Sequence, residues 1–175
     1  MLSPPSADLV RAAVAYDRLA RRFLLRIKLG RRRELLGPIA DRLLLTVRAS
    51  GIASGCAIIA PVPSDRLTDL RRGFSPSREL SRRLARRLGI GHRGFLVSRR
   101  LLRGRALKRL GPEMRKKGAK EAFFVRNRLA GETVLLVDDV MTTGASIEAC
   151  AEALKRAGAK KVRAAIWARA MRSNY

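Results

Sequence analysis

Acidic side chains are scarce in this 175-residue chain, which holds 14 Asp and Glu against 39 Lys and Arg. The resulting formal charge of +25 disfavours cationic partners and points toward polyanions. Aromatics are few too: five Phe, two Tyr and one Trp disfavour a protein that reads single strands mainly by stacking bases on rings. There is one histidine, His92, in the loop Gly89-Ile90-Gly91-His92-Arg93-Gly94, and nothing around it suggests a Ser-His-Asp or Cys-His mechanism. The two cysteines, Cys56 and Cys150, lack Cys-x-x-Cys or Cys/His ligand spacing and read as thiols of a reducing compartment. No run approaches the length needed to span a bilayer, and Met1 to Asp8 lacks a basic stretch followed by an apolar one, so the expectation is a soluble cytoplasmic protein. No Gly-x-x-x-x-Gly-Lys-[Ser/Thr] is present, which removes the P-loop NTPases.

What is present is 47% hydrophobic residues in a length suited to one packed domain. Eight lysines leave 31 arginines, whose planar forks grip phosphate oxygens two at a time. A GC-rich genome produces a similar excess, so position along the chain matters more than the total. Residues 1–128 carry 32 basic and 9 acidic side chains, whereas residues 129–175 carry 7 and 5. The excess therefore belongs to the first three quarters of the chain.

Leu9, Ala12, Ala13, Tyr16, Leu19, Ala20, Phe23, Leu24 and Ile27 recur at spacings of three and four, predicting an amphipathic helix over 8–28. A second helical pattern runs from Glu34 to Val47. Cys56 to Val62 is a short apolar run suited to a strand buried on both faces. A loop from Pro63 to Phe74 follows, then a helix capped by Ser75, begun by Pro76 and ended by Gly89. Phe95-Leu96-Val97 predicts a second strand and residues 99–120 a basic mobile segment. Thr133 to Val137 is the strongest strand pattern; a helix over 145–157 and a last strand over Lys161 to Ala168 complete the chain. Strands alternating with helices imply a parallel sheet flanked by helices, whose ligands bind beyond the C-terminal strand ends. The Gly-x-Gly-x-x-Gly at 89–94 follows a helix and precedes a strand, the reverse of the dinucleotide-binding order.

Beyond Val137 the sequence reads Asp138-Asp139-Val140-Met141-Thr142-Thr143-Gly144-Ala145-Ser146. Two carboxylates at a strand end can accept hydrogen bonds from vicinal sugar hydroxyls or lie near a metal. The following turn offers backbone amides, Thr and Ser hydroxyls and the positive end of a helix dipole, and Gly144 lets a phosphate approach the backbone without meeting a Cβ. Hydroxyl acceptors beside phosphate donors suit a sugar phosphate. Taken singly, the same residues would merely shape a turn and cap a helix.

Val134 to Ser146, VLLVDDVMTTGAS, resembles the phosphoribosyl pyrophosphate (PRPP) signature of the type I phosphoribosyltransferases. That resemblance implies that Asp138 and Asp139 hold the ribose hydroxyls and that Thr142, Thr143, Gly144, Ala145 and Ser146 bind the 5′-phosphate. Phe23 to Lys28, Arg32 to Leu35, Pro61-Val62-Pro63 and Arg72-Gly73-Phe74, taken with the signature, resemble the competence protein F (ComF) family over nearly the whole chain. The fold implied is a type I phosphoribosyltransferase-like α/β core over 51–175, preceded by a hood-like helical segment over 1–50. The family's four-cysteine zinc module is absent, and Ser75 and Pro76 stand where the family tends to have Asn and Gln.

Transfer from PRPP needs positioning, cations facing the departing pyrophosphate and Mg²⁺ bound with the substrate, but no protein nucleophile. No protein side chain is assigned to the metal directly. The loop of Pro61, Val62, Pro63 and Ser64 is expected to present backbone amides to pyrophosphate, with Arg66, Arg71 and Arg72 adding charge and Arg72 the foremost candidate. Two function classes stand side by side: a phosphoribosyltransferase, or a binding module that keeps the fold. For the second, the partners implied are single-stranded DNA or competence and replication-restart proteins, with Arg103, Arg105, Lys108, Arg109, Arg115, Lys116 and Lys117 as contacts. A homodimer stays open, and the acceptor is not legible.

Overall fold

The computed structural model describes residues 6–99 and 122–170. Five strands form one sheet, every pair parallel: β1 (Leu9–Ala15), β2 (Ile58–Pro61), β3 (Gly91–His92), β6 (Thr133–Met141) and β7 (Lys161–Arg169), in the order β1-β7-β6-β2-β3. Strands β4 (Val97–Arg99) and β5 (Phe123–Val125) form a separate antiparallel pair. The helices are α1 (Arg18–Lys28), α2 (Leu36–Ser50), α3 (Arg66–Arg72), α4 (Pro76–Leu88) and α5 (Ala145–Arg156), with a 3-10 turn at Arg33–Leu35.

Strand β6 organises the core. Val134, Leu135, Leu136 and Val137 are all fully buried because alternate side chains enter opposite layers. Val134 and Leu136 join Ile147, Cys150 and Leu154 of α5, while Leu135 and Val137 join Leu24 and Ile27 of α1, Leu43 of α2 and Leu80 of α4. From β2 the chain proceeds to β3 on one side, and from β6 it proceeds to β7 on the other. The β2/β6 boundary is therefore a topological switch point, where a crevice opens beyond the carboxyl ends of a parallel sheet.

Four sequence expectations are corrected. Residues 8–28 are not one helix: β1 pairs with β7 from Leu9↔Arg163 to Ala15↔Arg169, and the helix begins only at Arg18. Asp17 divides the two, its Oδ1 accepting from the Ala20 amide at 2.8 Å. The alanines there fit a period of two as well as one of 3.6, and a free place beside β7 decided between them. The expected loop at 63–74 contains α3, capped by Asp65, whose Oδ1 accepts from the Thr68 amide. The strand expected at 95–97 is displaced to Val97–Arg99 and lies outside the main sheet, whose edge is Gly91–His92. Ser75 occupies the N-cap of α4 in extended backbone but makes no capping hydrogen bond; its hydroxyl lies 3.1 Å from Ser64 Oγ instead. The expected mobile segment lies outside the described residues apart from Arg99, which ends β4.

Candidate functional site

Strand β6 runs four residues beyond Val137 and carries Asp138 and Asp139 within it, into the switch-point crevice. Asp139 is buried, and its Oδ2 has Lys28 Nζ of α1 as counter-ion at 2.6 Å. That oxygen accepts no well-aligned hydrogen bond. Asp138 is half-buried, and its Oδ1 accepts from Ser77 Oγ at 2.7 Å and from the Asp139 amide at 2.9 Å. Loss of solvent, and then the neighbouring Asp139 charge, push the Asp138 carboxyl up to about 8; Ser77, the Asp139 amide and Lys28 act in the opposite direction. Near neutrality Asp138 thus keeps its proton, and adjacent carboxyls avoid a full double charge.

Past Met141 the chain turns through exposed Thr142 and Thr143 to Gly144, the N-cap of α5, whose φ of 82° lies in the left-handed region. Asp138, Thr142, Thr143, Gly144, Ala145 and Ser146 line a polar cavity of about 50 Å³. Gly144 supplies no capping oxygen, and Thr143 Oγ1 accepts from the Ala145 amide only at 3.4 Å. The amides of the first helical turn therefore face this cavity with little competition. Glu148, an acid in the same turn, is held by the backbone amide and hydroxyl of Ser6. The structure thus places Asp138 and the whole 142–146 loop around one cavity, while Asp139, its neighbour on β6, turns to Lys28 of α1.

The β2 side differs from its expectation. Pro61 and Pro63 have no N–H, and the Val62 amide donates to the Val137 carbonyl at 2.9 Å as an extension of the sheet. Only Ser64 of that tetrapeptide can offer a free amide, so an array of backbone donors is not formed there. Ser64 Oγ itself donates to the Asp69 carboxylate. Arg71 is exposed on the last turn of α3. Arg72 is directed elsewhere: its Nε donates to the Lys28 carbonyl at 3.0 Å, its Nη1 lies 3.7 Å from Asp69 Oδ1, and its side chain is 10% exposed. It fastens α3 to the end of α1. The side chain of Arg66 lies outside the described residues.

Two residues of this site escaped sequence reasoning. Ser77 gave no signal beyond being a small polar residue at the start of a helix. Lys28 closes the motif Phe23 to Lys28, and only the fold reveals that α1 ends over Asp139. His92 lies on the edge strand β3, its Nε2 2.9 Å from Ser81 Oγ. Burial, then Arg82 and Arg78, hold its imidazolium below the usual range.

The family model described as "Phosphoribosyl transferase domain" matches residues 51–174. Among curated proteins, the DNA utilization protein YhgH of Escherichia coli K12 is 32% identical over 145 residues, covering 81% of this chain and 62% of that protein. Competence protein F of Haemophilus influenzae is 30% identical over 112 residues, covering 62% of this chain and 48% of that protein. The chain thus spans less than two thirds of the length of these relatives. A crystal structure of a purine phosphoribosyltransferase from Pyrococcus horikoshii aligns over 74% of this chain and 72% of that one, with 19% identity and a TM-score of 0.43. The fold class rests instead on the parallel strand order and the family model.

Proposed function

The chain belongs to the phosphoribosyl transferase domain family, with competence-family relatives, and from that premise we propose that it binds PRPP and transfers or senses its phosphoribosyl group. One observation supports the reading: β6 delivers Asp138 to the same cavity as an anion cradle at a helix start, with Asp139 its neighbour on the strand. Asp138 and Asp139 would hold the ribose hydroxyls, and the loop from Thr142 to Ser146 the 5′-phosphate. Breaking the bond from C1′ to the pyrophosphate oxygen leaves positive charge on the ribose, which the Asp139 carboxylate would stabilise.

No cluster of three or more His, Cys, Asp or Glu side chains among the described residues can hold a metal. Asp138 and Asp139 carry hard oxygens of the kind Mg²⁺ takes, but Asp139 Oδ2 already has Lys28 Nζ at 2.6 Å, so the ion would arrive held on the substrate's own oxygens. Bound in that way the ion would neutralise the departing pyrophosphate. The test is thermal melting with PRPP and Mg²⁺. Ligand at a hundredfold its Kd adds about 2.7 kcal/mol, or roughly 5–10 °C for a chain of this size. The Asp138→Asn/Asp139→Asn double variant should show no such rise, and an unchanged Tm in the wild type at saturating PRPP sinks the reading.

A second reading, a nucleic-acid-binding role, has its own observation. Between α2 and α4 lies a cleft of about 440 Å³ lined by Gly37, Ala40, Asp41, Arg83, Arg86 and Arg87. Arg87 pairs with Asp41, whereas Arg83 and Arg86 meet no carboxylate among the described residues, and Arg83 Nε is buried without an acceptor. The name "DNA utilization protein" carried by relatives fits phosphodiester as the occupant. For single strands, each phosphate contact contributes about 0.7 to the slope of log K against log salt. Arg83→Gln/Arg86→Gln should therefore flatten that slope by about 1.4; an unaltered slope places the DNA elsewhere. The basic residues at 103–117 first expected to act here lie outside the described residues.

A further inference from the structure

We infer that Lys28 is a ligand-binding residue of this site, one that neutralises Asp139 when the site is empty and passes its ammonium to the pyrophosphate of an arriving ligand. The inference rests on the phosphoribosyl reading above and adds a residue to it. Asp139 is a poor welcome for a polyanion: its carboxylate is 8% exposed and stands next to a second carboxyl. Lys28 Nζ, 2.6 Å from Oδ2, supplies the counter-charge. The same ammonium acts on Asp138, favouring its ionised form. A sugar hydroxyl that bonds to Asp139 must take the place Lys28 now holds, and the displaced cation then needs an anion.

The backbone and side chain of Lys28 are held differently. Its carbonyl accepts from Arg72 Nε, so the residue is tied to α3, which follows the pyrophosphate-side loop. Its side chain is 33% exposed and ends in a flexible four-carbon stem, so the ammonium can move while the backbone stays. The chain leaves α1 abruptly after it. A Cβ on Gly30 would lie 2.6 Å from the Arg26 carbonyl oxygen, and Arg31 takes a φ of 53°. These features fix where Lys28 sits without restricting where its amine points. Arg72, the cation first expected to face pyrophosphate, is committed to the Lys28 carbonyl, and Arg71 is exposed on α3, which leaves the lysine as the cation in contact with Asp139 itself.

The experiment is calorimetric titration of the full chain with two probes, PRPP with Mg²⁺ and ribose 5-phosphate, which shares the sugar and 5′-phosphate but lacks pyrophosphate. Lys28→Met should weaken PRPP by at least about tenfold, the scale of one charge-assisted hydrogen bond. Ribose 5-phosphate should be held as well as before or better, because Asp139 is then unobstructed. Lys28→Arg should recover most of the preference for PRPP. If Lys28→Met does not fold, Lys28→Gln gives the same ratio with a polar neutral side chain. Equal weakening of both probes, or no change in either, overturns the role assigned to Lys28 while leaving the site reading intact. Failure of the wild type to bind either probe removes the site reading and this inference with it.

Discussion

Asp138→Asn should stabilise the folded chain above neutral pH, although it removes a residue from the proposed ligand site. In the unfolded chain Asp138 ionises near 3.8, whereas in the folded chain burial and Asp139 keep its proton to about 8. Between those values the native state holds a proton that the unfolded state has lost. Its contribution therefore falls as pH rises from about 4 to 8 and is fullest below that window. The three-unit gap between 3.8 and neutrality corresponds to about 4 kcal/mol at 1.36 kcal/mol per unit. Solvent at this half-buried carboxyl, and the charges it shares with Asp139 and Lys28, reduce the usable part to about 1–3 kcal/mol. An asparagine loses the ionisation but keeps an oxygen for the Ser77 hydroxyl and the Asp139 amide, the two donors Asp138 Oδ1 serves now. At pH 8 the variant should melt about 2–12 °C above the wild type, and the decline in Tm that the wild type shows between pH 5 and 8 should be flattened in the variant. Differential scanning calorimetry in matched buffers measures both. A lower Tm for Asp138→Asn at pH 8, or an equal decline in both proteins, refutes the reasoning.

Arg72→Ala should cost about 2–4 kcal/mol in urea unfolding, because the Lys28 carbonyl loses a charged donor and the Asp69 carboxylate loses its cation. Arg71→Ala, an exposed change on the same helix, should stay within about 0.5 kcal/mol; equal costs for the two would show that Arg72 is not the fastening it looks to be. Gly144→Ala forces a Cβ into the left-handed region at φ 82° and should cost about 1–2 kcal/mol. Because Gly144 lines the proposed phosphate cradle, ribose 5-phosphate binding should weaken more in Gly144→Ala than in Thr142→Ala; the reverse order would mean that the cradle is formed by hydroxyls rather than backbone.

What the sequence made legible was local. Thr133 to Val137 has strand chemistry with no competing pattern, and the residues after it form a single turn. The two acidic residues and the turn that follows them could therefore be placed side by side from adjacency alone. Leu9 to Ala15 was misread because short alanine-rich segments satisfy two periods at once; only the partner strand, some 150 residues away in sequence, selects the extended form. Arg72 was placed in the site because it belongs to a motif, whereas its burial and its bond to the Lys28 carbonyl depend on where α1 ends. Lys28 was invisible for the converse reason. A lysine at the end of an amphipathic helix normally points to solvent, and nothing local says that a buried carboxylate waits there.

The place of β1 has a consequence for how the chain reaches its fold. Leu9 to Ala15 finds its register only against Arg163 to Arg169, so a ribosome delivers the first strand of the sheet long before the last. At about 5–20 residues per second the segment waits roughly 8–30 s without its neighbour. During that interval α1 can form behind its Asp17 cap, but the helix has no sheet edge to fix its height. The end of α1, and with it the ammonium over Asp139, acquires its final position only when β7 closes against β1. Assembly of the crevice is thus a late event, governed by the longest-range strand pairing among the described residues rather than by the contiguous residues that spell out its chemistry.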